Sequence, residues 1–325
     1  MALVALLSNP RSTGNKSMLP QVRSFCARHE DIFHYEVEHV DQIGAALRSI
    51  ARVKPRVLVI NGGDGTVQAA LTELFRGGHF GASPPPVAVL PNGKTNLIAQ
   101  DLGAHGDAIA ALERVLELAR TDDMMGHVVS RELISLTGGS GERPAVLGMF
   151  LGGAGLSDAM LYCRHKLYPL GLPNWLAHTL ALVLGVLGTL IGRPARFLPR
   201  PPVPITISIL KSGELRGSFA ILMVTTLQRI LFSDHFVGIG SPVGSMQLLA
   251  IERKFPALIR ALFASFRGRL GRKRLEGVYI EQGEEIRIEG SGSSVLLDGE
   301  LFEAVLGRPI VLRPTAPFPF LTLAA

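Results

Sequence analysis

Two cysteines in 325 residues, Cys26 and Cys163, are too few for a disulfide framework. They also lack C-x-x-C spacing, which excludes a zinc knuckle, and a reducing compartment suits such a chain. The nine histidines show no H-E-x-x-H or paired ligand spacing, so the familiar zinc-enzyme patterns are absent as well. Charged residues make up only 18% and no long polar or low-complexity tract occurs, which excludes disorder, collagen and a long coiled coil. No G-x-x-x-x-G-K-[ST] loop and no internal repeat is present. The apolar opening, residues 3–7, is too short for the core of a secretion signal and has no basic residues before it. A cytoplasmic protein is therefore expected.

What is present is apolar: 47% of the residues are hydrophobic, and the mean hydropathy is +0.30. At roughly 100–200 residues per domain, the length suggests two domains. The first alternates apolar runs with helical periods over residues 3–7, 18–29, 33–40, 43–53, 57–60, 67–75 and 87–90, the rhythm of a parallel sheet covered by helices. After a helical stretch at 108–120 the texture changes to short β-like runs at 127–130, 132–136, 145–151, 203–210, 219–225, 246–251, 278–280, 286–289 and 295–297. Strands at this spacing predict an antiparallel sandwich or barrel. The expected division is an α/β domain over residues 1–122 and a β-rich domain over 123–325.

The net charge of +6 is local. Arg253, Lys254, Arg260, Arg267, Arg269, Arg272, Lys273 and Arg274 fall in one stretch without an acid, and setting those eight aside leaves the rest of the chain at about −2. One anionic surface as partner fits this pattern, and a chain coated for nucleic acid does not.

In an open parallel sheet, ligands bind at the carboxyl ends of the strands. Ser8-Asn9-Pro10, Asn61-Gly62-Gly63-Asp64-Gly65-Thr66 and Pro91-Asn92-Gly93-Lys94-Thr95-Asn96 are therefore expected to converge. The second segment sits between a strand and an apolar helix. Its glycines admit a ligand close to the backbone, and the helix turns its positive end toward oxyanions, so a phosphate fits. Asp64 would repel that phosphate unless Mg²⁺ lies between them or the carboxylate takes a proton from an attacking hydroxyl, which points to phosphoryl transfer.

Gly62-Gly63-Asp64-Gly65-Thr66 resembles the nucleotide loop shared by diacylglycerol kinases, sphingosine kinases, NAD kinases and phosphofructokinases. Pro91 to Asn96 looks like the P-x-G-T-x-N-D segment of the lipid kinases, Leu297-Asp298-Gly299-Glu300 matches their L-D-G-E, and Asn9-Pro10 with Ser12 and Gly14 resembles their N-P-x-S-G opening. The resemblance to bacterial diacylglycerol-kinase-like lipid kinases implies a three-layer α/β nucleotide domain followed by an antiparallel β-sandwich lipid domain. It implies ATP and Mg²⁺ as cofactors and a membrane lipid as acceptor. Asn9, Asn61, Gly62, Gly63, Asp64, Gly65, Thr66, Gly93, Lys94, Thr95 and Asn96 would form the nucleotide site. Glu300 would be the general base, and Asp298 would orient it or hold the metal, since carboxylates one residue apart share a side of an extended segment; read without the resemblance, the same residues are a hairpin turn between Val295 and Phe302. Asp64 is a second candidate for base or magnesium anchor, and spacing does not choose between them.

The chain also departs from the family pattern. Lys94 stands in place of Thr, Leu97 in place of Asp, Gln68 and Ala69 in place of Asn and Glu, and residues 232–243 lack the D-D-G segment, so no second magnesium site is expected. A lipid-binding protein of the same fold without turnover is the alternative these changes raise, with an NAD-kinase-like enzyme as another. Two apolar segments bear on the membrane. Residues 175–191, opening at Trp175 and ending at Ile191, read as a core helix, a helix at a lipid site or a span at the lower length limit. In residues 256–274, after Pro256, Leu258, Ile259, Leu262, Phe263 and Phe266 form one face edged by Arg260, Arg267 and Arg269. This is either an interfacial helix on anionic lipid or a surface helix with snorkelling arginines. Peripheral association with the inner membrane face is expected, and a homodimer is compatible with the pattern.

Overall fold

The computed structural model describes residues 2–81, 83–93, 95–140, 144–167, 203–227, 246–290, 294–305 and 307–323. Lys94 and the segments 175–191 and 232–243 lie outside them.

The chain begins β1 (Val4–Ser8), α1 (Asn15–Ala27), β2 (Ile32–Glu36), α2 (Ile43–Val53), β3 (Val57–Asn61), α3 (Asp64–Gly77), β4 (Val87–Val89), α4 (Leu97–Asp101), α5 (Ala108–Arg120) and β5 (Val128–Arg131). It continues β6 (Ile134–Gly138), β7 (Val146–Gly148), β8 (Phe150–Gly153), α6 (Gly155–Tyr162), β9 (Ile205–Ile209), β10 (Gly213–Gly217), β11 (Phe219–Thr225) and β12 (Met246–Glu252). The last elements are α7 (Phe255–Phe266), β13 (Val278–Gly283), β14 (Ile286–Glu289), β15 (Ser294–Leu297), β16 (Glu300–Glu303), β17 (Ile310–Pro314) and β18 (Phe318–Leu321).

Two compact units result. The first holds residues 1–133, 146–148 and 315–325, and the second 134–145 and 149–314. The division thus falls at Leu133 rather than at 122, and the C-terminus returns to the first unit, because β18 completes that unit's sheet. The sheet order is β2-β1-β3-β4-β18-β5. Its first four strands are parallel as expected, and β18 adds parallel to β4 but antiparallel to β5. β1 and β3 are buried at every position, which suits Val/Leu/Ile runs covered on both faces. Helix α2 buries Ile43, Ala46, Leu47 and Ile50, the i, i+3, i+4, i+7 stripe of a helix with one face on a core.

The second unit is built on antiparallel sheets. One runs β10-β9-β14-β17-β6 within the unit, and the other runs β13-β12-β11-β8-β15-β16. The β-run expected over 145–151 is divided, with β7 assigned to the first unit and β8 to the second. At the start of α6 the backbone packs closely: a Cβ on Gly155 would lie 2.5 Å from the Ala220 carbonyl oxygen. No helix among the described residues is long and apolar enough to cross a membrane.

Candidate functional site

β1, β2 and β3 end in Ser8, Glu36 and Asn61, and asparagines tie the ends of β1 and β3 to the loop after β4. Asn61, at the end of β3, donates through Nδ2 to Ser8 Oγ at the end of β1, 2.9 Å. Asn92, after β4, donates to Asn61 Oδ1 at 2.6 Å and to Asn15 Oδ1 at 3.1 Å. Asn15 in turn donates to the carbonyls of Asn9 (2.8 Å) and Asn61 (3.0 Å). Asn9 closes the net by donating to Thr66 Oγ1, 2.9 Å. All four asparagines are buried. A buried net in which the amide groups satisfy one another holds three loops in one register. His34 Nε2 joins it at Ser8 Oγ, 2.8 Å, and burial pushes the imidazole below its ordinary pKa while Glu36 opposes.

The glycine turn lies on this net. The Gly63 amide donates to Ser12 Oγ (2.9 Å), and the Gly93 amide donates to Asn96 Oδ1 (2.6 Å). The two turns touch through their backbones: a Cβ on Gly93 would stand 3.3 Å from Gly63 Cα. A Cβ on Gly65, by contrast, would meet nothing within 4 Å, so the first turn of α3 is open on that side. Asp64 begins α3, and its Oδ2 accepts from Thr95 Oγ1 at 2.5 Å. Burial holds the Asp64 carboxyl above the ordinary carboxylate range, and the Thr95 hydroxyl draws it back. Asn96 takes a left-handed φ of 54° to open α4, with Leu97 the first residue of that helix.

Asn9, Asn61, Gly62, Gly63, Asp64, Gly65, Thr66, Gly93, Thr95 and Asn96 therefore stand at the carboxyl ends of neighbouring strands. Lys94 lies outside the described residues. Asn15 is not among the residues expected from the sequence, and Asn92 enters only as a member of the segment 91–96. No local sequence signal marks either. His39 is exposed, and its Nδ1 lies 3.3 Å from Arg11 Nη1.

The other two carboxylates belong to the second unit. Leu297 pairs with Glu300, so Asp298 and Gly299 form a two-residue hairpin turn, with φ of 44° and 93°. Positive φ at both positions marks the mirror-image turn that Asp-Gly favours. Of the two readings of this segment the hairpin turn is the one observed, and the two carboxylates part: Asp298 is buried and Glu300 exposed. Asp298 Oδ2 accepts from the Met149 amide (2.9 Å) and Oδ1 from the Phe150 amide (3.0 Å), while its own amide donates to the Phe150 carbonyl (2.9 Å). Asp298 thereby clamps the turn to β8. Both of its oxygens accept backbone amides, which makes Asp298 an anchor of the turn. Among the described residues no group of three or more His, Cys, Asp or Glu is placed to hold a metal ion. Asp64, a hard oxygen donor beside the glycine turn, fits a magnesium ion bound with phosphates.

Residues 3–128 match the family model of the diacylglycerol kinase catalytic domain. The chain is similar to the crystal structure of a diacylglycerol kinase from Bacillus anthracis, at 14% identity and a TM-score of 0.61 over 98% of this chain and 96% of that one. A second crystal structure from the same organism gives 16% identity and a TM-score of 0.63 over the same shares. At these identities the likeness establishes a common fold. No curated protein matches the chain.

Proposed function

We propose that this chain, whose residues 3–128 match the family model of the diacylglycerol kinase catalytic domain, transfers the γ-phosphate of ATP to the hydroxyl of a membrane lipid. The observation that carries the reading is the open first turn of α3, where Gly63 and Gly93 bring two backbones together, Gly65 leaves space, and Asp64 stands half-buried beside Thr95. Backbone amides at such a turn bind phosphate oxygens without a side chain between them.

In this reading the glycine turn orients the triphosphate. The lipid hydroxyl gives its proton to the exposed Glu300 carboxylate, its oxygen bonds to the γ-phosphorus, and the bond from that phosphorus to the β-phosphate oxygen breaks to leave ADP. Positioning and charge stabilisation supply most of such a rate. Magnesium, when bound, would neutralise phosphate charge and favour the ionised form of Asp64. The Asp298 clamp holds the conformation from which Glu300 projects.

The test is transfer of labelled γ-phosphate to a total lipid extract, followed by separation and identification of the product. Wild type is expected to label a lipid and Glu300→Gln to lose at least a hundredfold in rate, as expected for a general base. Full activity in Glu300→Gln would remove Glu300 from that role. No labelled lipid from folded wild type would favour the lipid-binding alternative that Leu97, Gln68 and Ala69 raise.

A further inference from the structure

Helix α7 buries its small residues and exposes its large ones. Ala257 and Ala261 are 2% and 5% exposed and pack with Met223, Leu249, Ile251 and Val278, while Leu258 sits partly buried against the same cluster. On the other side Leu262, Phe263 and Phe266 are 46%, 54% and 73% exposed, and Phe255 is 40% exposed. A helix that had only to cover β11, β12 and β13 would be built the other way round, since burying a phenylalanine gains more than burying an alanine.

The chain leaving this face is cationic. Arg267 lies over the Phe263 ring, 5.6 Å from its centroid, and Arg269, Arg272, Lys273 and Arg274 follow, all exposed. Nearby, Lys254 pairs with Glu252 and Arg260 with Glu276. Among the described residues no acid forms a salt bridge with any of the five cations from Arg267 to Arg274.

We propose that α7 and residues 267–274 form a docking surface for an anionic phospholipid bilayer, with Leu262, Phe263 and Phe266 entering between headgroups and the five cations meeting their phosphates. The inference rests on the reading of the acceptor as a membrane lipid and names the surface from which it is reached. Large apolar side chains flanked by cations match the two layers of such a membrane, its acyl boundary and its charged face. A second copy on this face would set five unpaired cations against five, a repulsion that a two-fold contact cannot avoid. A nucleic acid would meet the cations and leave the apolar face in water.

The test is sedimentation of the full chain with vesicles of phosphatidylcholine alone or with about one third phosphatidylglycerol, in about 0.1 M salt. Wild type is expected to bind the anionic vesicles at least tenfold more tightly. Phe263→Ser/Phe266→Ser should lose at least tenfold of that binding. At about fivefold per cation, Arg269→Ser/Arg272→Ser should lose about 25-fold. Both variants should still phosphorylate a short-chain lipid in detergent micelles, because they touch no residue of the candidate site. Equal binding to both kinds of vesicle, or unchanged binding in both variants, overturns the proposal. So does a wild-type dimer in sedimentation velocity that the variants dissolve, which would assign the face to a second copy. Vesicle binding needs no turnover, so a protein that binds anionic vesicles but transfers no phosphate defeats the kinase reading and leaves this surface standing.

Discussion

Replacing Asp298 separates a clamp from a metal ligand. In the folded chain its two oxygens accept the amides of Met149 and Phe150 at 2.9 and 3.0 Å, and Met149 is fully buried. Hydrogen bonds to a charged acceptor contribute about 1.5–3 kcal/mol each, and a buried amide left unpaired costs about 1–3 kcal/mol. Asp298→Asn keeps one acceptor oxygen but turns its amide group toward the other backbone N–H, so a loss of about 2–3 kcal/mol is expected. Asp298→Ala strands both amides and should lose about 3–5 kcal/mol. The measurements are urea unfolding by circular dichroism and hydrogen exchange at the Met149 and Phe150 amides. Exchange at both should accelerate in each variant, and the urea midpoint should fall. Where folded Asp298→Asn still turns over, its Mg²⁺ concentration for half-maximal rate should stay at the wild-type value. Glu300→Gln, at an exposed position, should unfold within about 0.5 kcal/mol of wild type. An Asp298→Asn variant with an unchanged urea midpoint and a raised Mg²⁺ requirement would refute the clamp and return Asp298 to the metal.

Two further perturbations probe the glycine turn. Gly65→Ala has room for its Cβ and sits in the first turn of α3, so it should fold and gain about 0.4–1 kcal/mol, yet raise the KM for ATP by filling the space read as the phosphate cradle. A stable Gly65→Ala enzyme with wild-type KM would move the phosphates elsewhere. Burial raises the folded pKa of Asp64 above its unfolded 3.8, so its favourable contribution is complete below pH 3.8 and is lost as pH rises through the folded value. Asp64→Asn should therefore be more stable than wild type at pH 7, with the difference vanishing in acid while activity is lost. Melting temperatures at the two pH values check the sign.

The parts of the site legible in the sequence are those in which local backbone demand and chemistry coincide. Asn61 to Thr66 needs glycine at position 62, where a Cβ would lie 2.6 Å from Thr66 Cβ, and it lies between an apolar strand and an apolar helix. Asp298-Gly299 is a hairpin turn by its own dipeptide. The direction of the Asp298 carboxylate was not legible, because its partners are backbone amides about 150 residues away that carry no side-chain signature. Nor was the asparagine net: Asn15 and Asn92 are unremarkable in their own segments and acquire meaning only when β1, β3 and β4 lie side by side. β18 was equally hidden, since Pro319 stands inside a four-residue run, where interior strands avoid proline.

The sequence by itself determined the α/β start, the antiparallel remainder, the glycine turn between β3 and α3 and the local concentration of positive charge, because periodicity, glycine placement and composition are properties of neighbouring residues. Tertiary structure alone decided that the C-terminus completes the first sheet, that Asp298 is a clamp while Glu300 is exposed, and that α7 presents Phe263 and Phe266 outward. Each of these depends on what a distant strand places opposite the residue, and burial and hydrogen-bond partnership are settled only when that strand is in position.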